Sequence, residues 1–169
     1  MSNRTDVYVD LKGREISLAN LDERELQLLS ALESRATGQA NWIDFDNAAM
    51  SMVADLYDGR GVSRNESRRT VVYRIARDLS GRLAIAAGMA RAPDYRDELE
   101  EVIRTQFRTR RQFCEATGLS EDMLSHVLAH RKHMSIETLV DALKRVGYEL
   151  RITPRTNGHA VESIHLLQH

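Results

Sequence analysis

The chain has 169 residues, enough for one substantial core or two small ones, and its 42% hydrophobic and 29% charged residues are ordinary for a globular protein. A formal net charge of −1 excludes a uniformly basic nucleic-acid coat, so any contact with nucleic acid must come from a local patch. The single cysteine excludes an internal disulfide; with no apolar run of transmembrane length and no secretory signal, a cytoplasmic location is expected.

Val7 to Leu11 and Arg14 to Leu18 flank Lys12-Gly13, which predicts a short hairpin. Asp22 is an N-cap with Glu25 three residues on and Leu21 placed to staple onto Leu26; Leu26, Leu29 and Leu32 then recur at helical spacing toward Gly38. A second apolar stripe, Trp42, Phe45, Ala49, Met52, Val53 and Leu56, is stopped by Asp58-Gly59-Arg60-Gly61. Ser63-x-x-Glu66 is a capping box for a third helix that buries Val72, Ile75, Ala76, Leu79 and Leu83, with Gly81 or Gly88 as candidate interruptions.

The boundary between halves falls at Ala90 to Asp94, since Pro93 pushes the preceding residue out of the helical region and Asp94 can cap a new helix. Tyr95, Leu99, Val102, Ile103 and Phe107 line one side of that helix. Thr109-x-x-Gln112 is a capping box for its successor, and Ser120 caps another, with Glu121 and Asp122 in the first turn, where the helix dipole favours acids. Ser135 caps a last helix, whose core face is Ile136, Leu139, Leu143 and Val146 and which Gly147 ends. Tyr148, Leu150 and Ile152 alternate with Glu149, Arg151 and Thr153, predicting a strand, and Asn157-Gly158 a hairpin returning through Val161 to Leu167.

The most informative stretch is Thr109 to Val127, TRRQFCEATGLSEDMLSHV. Two helices joined by a very short turn need a small residue at their crossing, a turn residue that accepts a positive φ, and apolar contacts reaching back from the second helix. Cys114, Gly118, Leu124 and Val127 fall at those positions. From Arg108 to Leu139 the chain resembles, without a gap, the Cro/repressor type of helix-turn-helix, the XRE-like family. The resemblance rests on Cys114 where the family usually has alanine, Gly118 in the turn, Leu119-Ser120 opening the second helix, Leu124-Ser125 at its centre, and Ser135 to Leu139 opening the next. The continuation Val146 to Ile152 resembles, more weakly, the strand that comes after this domain in HigA-type antitoxins. Residues before Arg91 resemble no family.

Such a domain inserts its second helix into the DNA major groove. The resemblance therefore implies base contacts from Glu121, Asp122, Met123 and Ser125, and phosphate contacts from Arg110, Arg111, His126, Arg131, Lys132 and His133, over a core of Phe113, Cys114, Gly118, Leu119, Leu124 and Val127. Glu121 and Asp122 depart from the Gln or Ser more usual in the family. A carboxylate can accept from the cytosine N4 amino group, yet it faces a negative duplex; dipole stabilisation alone is the competing role.

Other features have a plain reading beside the functional one. Cys114 is a small packing residue rather than a nucleophile. His126, His130 and His133 have metal-ligand spacing without a fourth ligand, so no metal is expected. The arginines Arg60, Arg64, Arg68, Arg69, Arg74, Arg77 and Arg82 form either a second nucleic-acid surface or, as the simpler expectation, a solvated helix face paired with Asp44, Asp46, Asp55 and Asp58. Trp42 beside Phe45 reads as core. No Gly-rich phosphate loop, cysteine pair or nucleophile motif is present, so neither an enzyme nor a cofactor is expected.

The expected fold is mostly α (α+β): a mixed, mostly helical domain over residues 1–92 serving dimerisation or partner binding, and over residues 93–169 a lambda-repressor-like bundle followed by a strand or hairpin. The expected function is that of a DNA-binding transcriptional regulator, a repressor acting as a homodimer on double-stranded DNA. An antitoxin that blocks a protein toxin and also represses its own promoter, and a protein-interaction module with a degenerate helix-turn-helix, are the alternatives.

Overall fold

A computed structural model describes residues 7–38 and 41–152. The fold is mostly α with a small antiparallel sheet, and its contacts divide into two compact units that meet in sequence between Ala92 and Pro93.

In the first unit, β1 (Val7–Val9) pairs with β2 (Glu15–Ser17), Tyr8 opposite Ile16. Asp10 organises the turn: its Oδ1 accepts from the backbone N–H groups of Lys12 and Arg14, and its Oδ2 from Arg14 Nε at 2.9 Å. Helix α1 (Glu23–Gly38) is capped reciprocally by Asp22 and Glu25. Helix α2 (Trp42–Asp58) starts at Asn41, whose side chain accepts from the amides of Ile43 and Asp44. Leu29 and Leu32 of α1 meet Phe45, Ala49, Val53 and Tyr57 of α2 in one core, with Ile16 from the hairpin. Trp42 is half-buried; its Nε1 donates to Ser80 Oγ at 3.1 Å.

The predicted third helix is two helices. Ser63 and Glu66 form the expected capping box, but α3 (Arg64–Ser67) ends after one turn. Thr70 then caps α4 (Val71–Ala86) by accepting from Tyr73 N–H, and its hydroxyl donates to Ser67 O at 2.7 Å. Thr70 thus serves both helix ends, which offsets part of the cost of the break. Along α4, Val72, Ile75, Ala76 and Leu79 are buried as predicted, whereas Leu83 is only half-buried and Ser80 and Ala84 take the inner positions. Gly81 does not interrupt α4, and Gly88, at φ +70°, lies just beyond its end.

The second unit opens with α5 (Tyr95–Gln106), capped by Asp94 and Asp97 reciprocally. It continues through α6 (Arg110–Thr117), α7 (Glu121–Leu128) and α8 (Ile136–Arg145). Leu99, Ile103, Phe113, Cys114, Leu124, Val127, Met134 and Leu139 form its core. Phe107 meets Phe113 edge-on, with ring centroids 5.3 Å apart.

Two expectations fail at its C-terminal end. Ile136 is 72% exposed instead of buried, because Met134 fills that end of the core. Met134 precedes the Ser135 cap and packs in the same cluster as Leu139, a hydrophobic staple that leaves the first helical residue outside. The strand over Tyr148 to Ile152 does not form either. Tyr148 N–H donates back to Leu143 O and Gly147 N–H to Lys144 O, a Schellman closure with Gly147 at φ +83°. Residues 148–152 then run exposed, with no partner strand among the described residues. The Asn157-Gly158 hairpin and its return strand lie outside the described residues.

Candidate nucleic-acid interface

The geometry of α6 and α7 is set by three local devices. Thr109 Oγ1 accepts from Gln112 N–H at 3.1 Å and starts α6; the Gln112 side chain returns to Arg108 N–H instead of Thr109, so the expected box is only half made. Gly118 ends α6 at φ +77°, a conformation that costs an L side chain about 1–2 kcal/mol, and its N–H donates to Cys114 O at 2.8 Å. Two residues later Ser120 Oγ accepts from Met123 N–H and starts α7.

Leu119 and Leu124 staple the new helix as Met134 and Leu139 staple α8. The turn is therefore three residues long, Gly118 to Ser120, and α7 packs on α5 and α6 through Leu124 and Val127, both essentially inaccessible. Thr117 is buried with its hydroxyl donating to Phe113 O at 2.8 Å. Cys114 is buried at the crossing; its burial pushes the thiol pKa up, helped by the charges of Glu121 and Glu115, which keeps it protonated and unreactive.

The residues expected to meet bases do not all share one environment. Glu121, Asp122 and Ser125 are exposed on α7, whose Leu124 and Val127 are buried. Met123 is half-buried and packs against the core, which leaves it a supporting rather than a reading position.

The six expected phosphate ligands divide further. Arg110 Nη2 donates to Glu100 Oε1 at 2.8 Å and Arg111 Nε to Glu115 Oε1 at 3.0 Å, all four side chains more than half exposed. Exposed pairs of this kind are worth about 0–1 kcal/mol, so a phosphate can displace the carboxylates at little cost. Arg131 and Lys132 are exposed and make no side-chain ion pair among the described residues.

The histidines are fixed by their neighbours. His126 Nδ1 faces two acceptors, Asp122 O at 2.8 Å and Asp122 Oδ1 at 3.3 Å, so it carries the proton and leaves Nε2 as the free atom. His130 and His133 show the opposite tautomer, because a guanidinium can only donate: Arg96 Nη1 donates to His130 Nδ1 and Arg96 Nη2 to His133 Nδ1, both at 2.9 Å. Their protons therefore sit on Nε2. That arrangement consumes the lone pairs a metal would need, and no group of three metal-ligating side chains occurs among the described residues.

Arg96 is a structural residue of this region that sequence reasoning misses. It is buried on the core side of α5, and besides the two histidines it donates to Asp94 Oδ2 at 2.8 Å and Lys132 O at 3.4 Å. Tyr95, whose hydroxyl accepts from Met134 N–H, stacks beneath it, the guanidinium carbon 5.0 Å from the ring centroid. Together they clamp the link between α7 and α8, where His130 sits at φ +58° and the backbone N–H groups of Arg131 and Lys132 donate to His126 O. The only local signal is an arginine two residues past an aspartate cap, and its partners on the link lie more than thirty positions away.

No protein-family model, curated protein or solved structure matches this chain. Among the described residues no helix is long and apolar enough to cross a membrane.

Proposed function

We propose that this chain is a sequence-specific DNA-binding transcriptional regulator, a repressor that acts as a homodimer. The observation that carries the reading is α7 itself. It is a short helix with Leu124 and Val127 buried, presented after a three-residue turn at Gly118, with Glu121, Asp122 and Ser125 exposed on its outer side. An α-helix presented on one buried face can enter the major groove, where its first turn meets base edges. Arg110, Arg111, Arg131 and Lys132 flank it in sequence and supply the phosphate contacts. His133 adds an N–H donor at Nε2. One such helix makes few base contacts, which is why two half-sites and a dimer are part of the proposal.

The division of roles is testable by substitution. Replacing Arg110 and Arg111 by alanine should weaken binding to all duplexes alike, whereas Ser125→Ala or Glu121→Gln should change the preference among sites. Equal losses on every sequence from the α7 changes would refute it. The acidic first turn also supports a second reading, a module that binds a basic protein surface, a toxin included; a basic partner retained by the wild type and lost in Glu121→Gln/Asp122→Asn, with no duplex binding, would select that reading.

A further inference from the structure

The arginine-rich stretch of the first unit separates into two sets. Arg60 pairs with Asp22 at 2.8 Å, Arg77 with Asp46 at 2.8 Å and Arg82 with Asp78 at 2.8 Å. Of the four aspartates expected as partners, Asp44, Asp46, Asp55 and Asp58, only Asp46 takes that part among the described residues. Arg64, Arg68, Arg69 and Arg74 are exposed and make no ion pair among the described residues. Arg64 and Arg68 open and close α3, one helical turn apart; Arg69 comes next in the bend, and Arg74 stands in the first turns of α4.

The single acid among them is already engaged. Glu66 accepts from the Ser63 hydroxyl at 2.6 Å and from the Ser63 N–H at 3.1 Å, and those bonds, with a smaller contribution from the nearby charge of Arg69, hold its carboxyl below the usual range. From Ser63 to Thr70 the sequence SRNESRRT contains no apolar side chain. Protein-binding surfaces are anchored by buried aromatic or aliphatic groups, which this stretch lacks, whereas guanidinium groups on a polar ground match a row of phosphates.

We propose that Arg64, Arg68, Arg69 and Arg74 form a second DNA contact, a sequence-independent surface that binds the phosphate backbone of duplex DNA. It rests on the DNA-binding reading for its biological setting, not for its chemistry. Helix α7 begins with two acids, and Arg110 and Arg111 exchange partners when they bind, so the second unit alone has a modest electrostatic attraction to a duplex. A backbone-binding surface elsewhere on the same chain raises the effective concentration of α7 at the DNA without adding to sequence choice.

The test is titration of the full chain, at several salt concentrations, against its own promoter region and a random duplex of equal length. The comparison is with a variant carrying Arg64→Ala, Arg68→Ala, Arg69→Ala and Arg74→Ala. The expected result is weaker binding to both duplexes, by at least tenfold near 0.1 M salt on the order-of-magnitude counterion estimate, with the slope of log affinity against log salt flattened by about 3.6. The ratio of promoter to random affinity should stay unchanged. The matching set of arginine-to-lysine changes should retain most of the binding, and because none of the four makes a close ion pair among the described residues, both variants should melt close to the wild type. Unchanged affinity and slope in the alanine variant overturn the proposal while leaving the α7 reading intact. A wild type that binds promoter and random duplex equally overturns the α7 reading, and the arginine surface then stands or falls on the alanine variant alone.

Discussion

Arg96→Ala should loosen the second unit more than any exposed change on α5. The side chain is 8% exposed and donates to Asp94, His130 and His133 at 2.8, 2.9 and 2.9 Å, with Lys132 O at 3.4 Å. Breaking a fully buried charged network costs about 3–5 kcal/mol. Here the acceptors are partly wet, with Asp94 35% and His130 32% exposed, and the guanidinium's own desolvation, including an Nε atom with no partner among the described residues, offsets part of the gain. A net loss of about 2–3 kcal/mol results.

That loss corresponds to a roughly 30- to 150-fold fall in amide protection for α5 to α8, which hydrogen exchange on the full chain reads separately from the first unit. Arg96→Met keeps the stem and its packing while deleting the bonds, and should lose nearly as much; Arg104→Ala, exposed on the same helix, should change protection by less than about threefold. Because the clamp holds Arg131 and Lys132, Arg96→Met should also weaken DNA binding on every sequence. Protection in Arg96→Ala and Arg96→Met equal to that in Arg104→Ala would refute the clamp.

Gly118→Ala should cost about 1–2 kcal/mol from its left-handed backbone, with Gly118→Asn clearly milder, as read by thermal unfolding. The added Cβ would meet Arg145 Nη1 at 3.1 Å, a flexible end that can move, so an undiminished alanine variant would mean the turn is not held in that conformation. Burial raises the Glu33 carboxyl from 4.5 to about 7, so the folded state favours its protonated form. The stability tied to that shift is fully present below pH 4.5 and lost as pH rises through 7. Glu33→Gln should therefore gain about 1 kcal/mol over the wild type at about pH 8 but not at about pH 4, measured by denaturant unfolding followed through Trp42; an equal difference at both pH values would contradict the burial. Cys114 should react with a thiol reagent at neutral pH only as fast as the second unit opens, and fast labelling of the native chain would show that it is accessible.

The local grammar of this chain is readable wherever one residue decides the outcome. The caps at Asp22, Asp94, Ser120 and Ser135 and the turn at Gly118 are short-range signals, and the helices begin and end where they indicate. Spacing misleads where two local solutions compete. Thr70 can serve as a residue of a long helix or as a second cap, and only packing along α4 decides. Ile136 fits a core stripe by spacing, yet Met134 reaches that space first. Alternation over Tyr148 to Ile152 describes a strand that has no partner among the described residues. The candidate site shows the same limit: spacing alone places Glu121, Asp122 and Ser125 on an outer helix face, whereas the Arg96 clamp joins residues far apart in sequence and leaves no local pattern.

Sequence-specific DNA binding is decided by competition between the promoter region and random duplex for the purified full chain. A promoter complex at least about 10³-fold tighter than the random one is expected, as for specific binders generally, with both affinities falling steeply as salt rises. Equal affinity for the two duplexes at every salt concentration would contradict it.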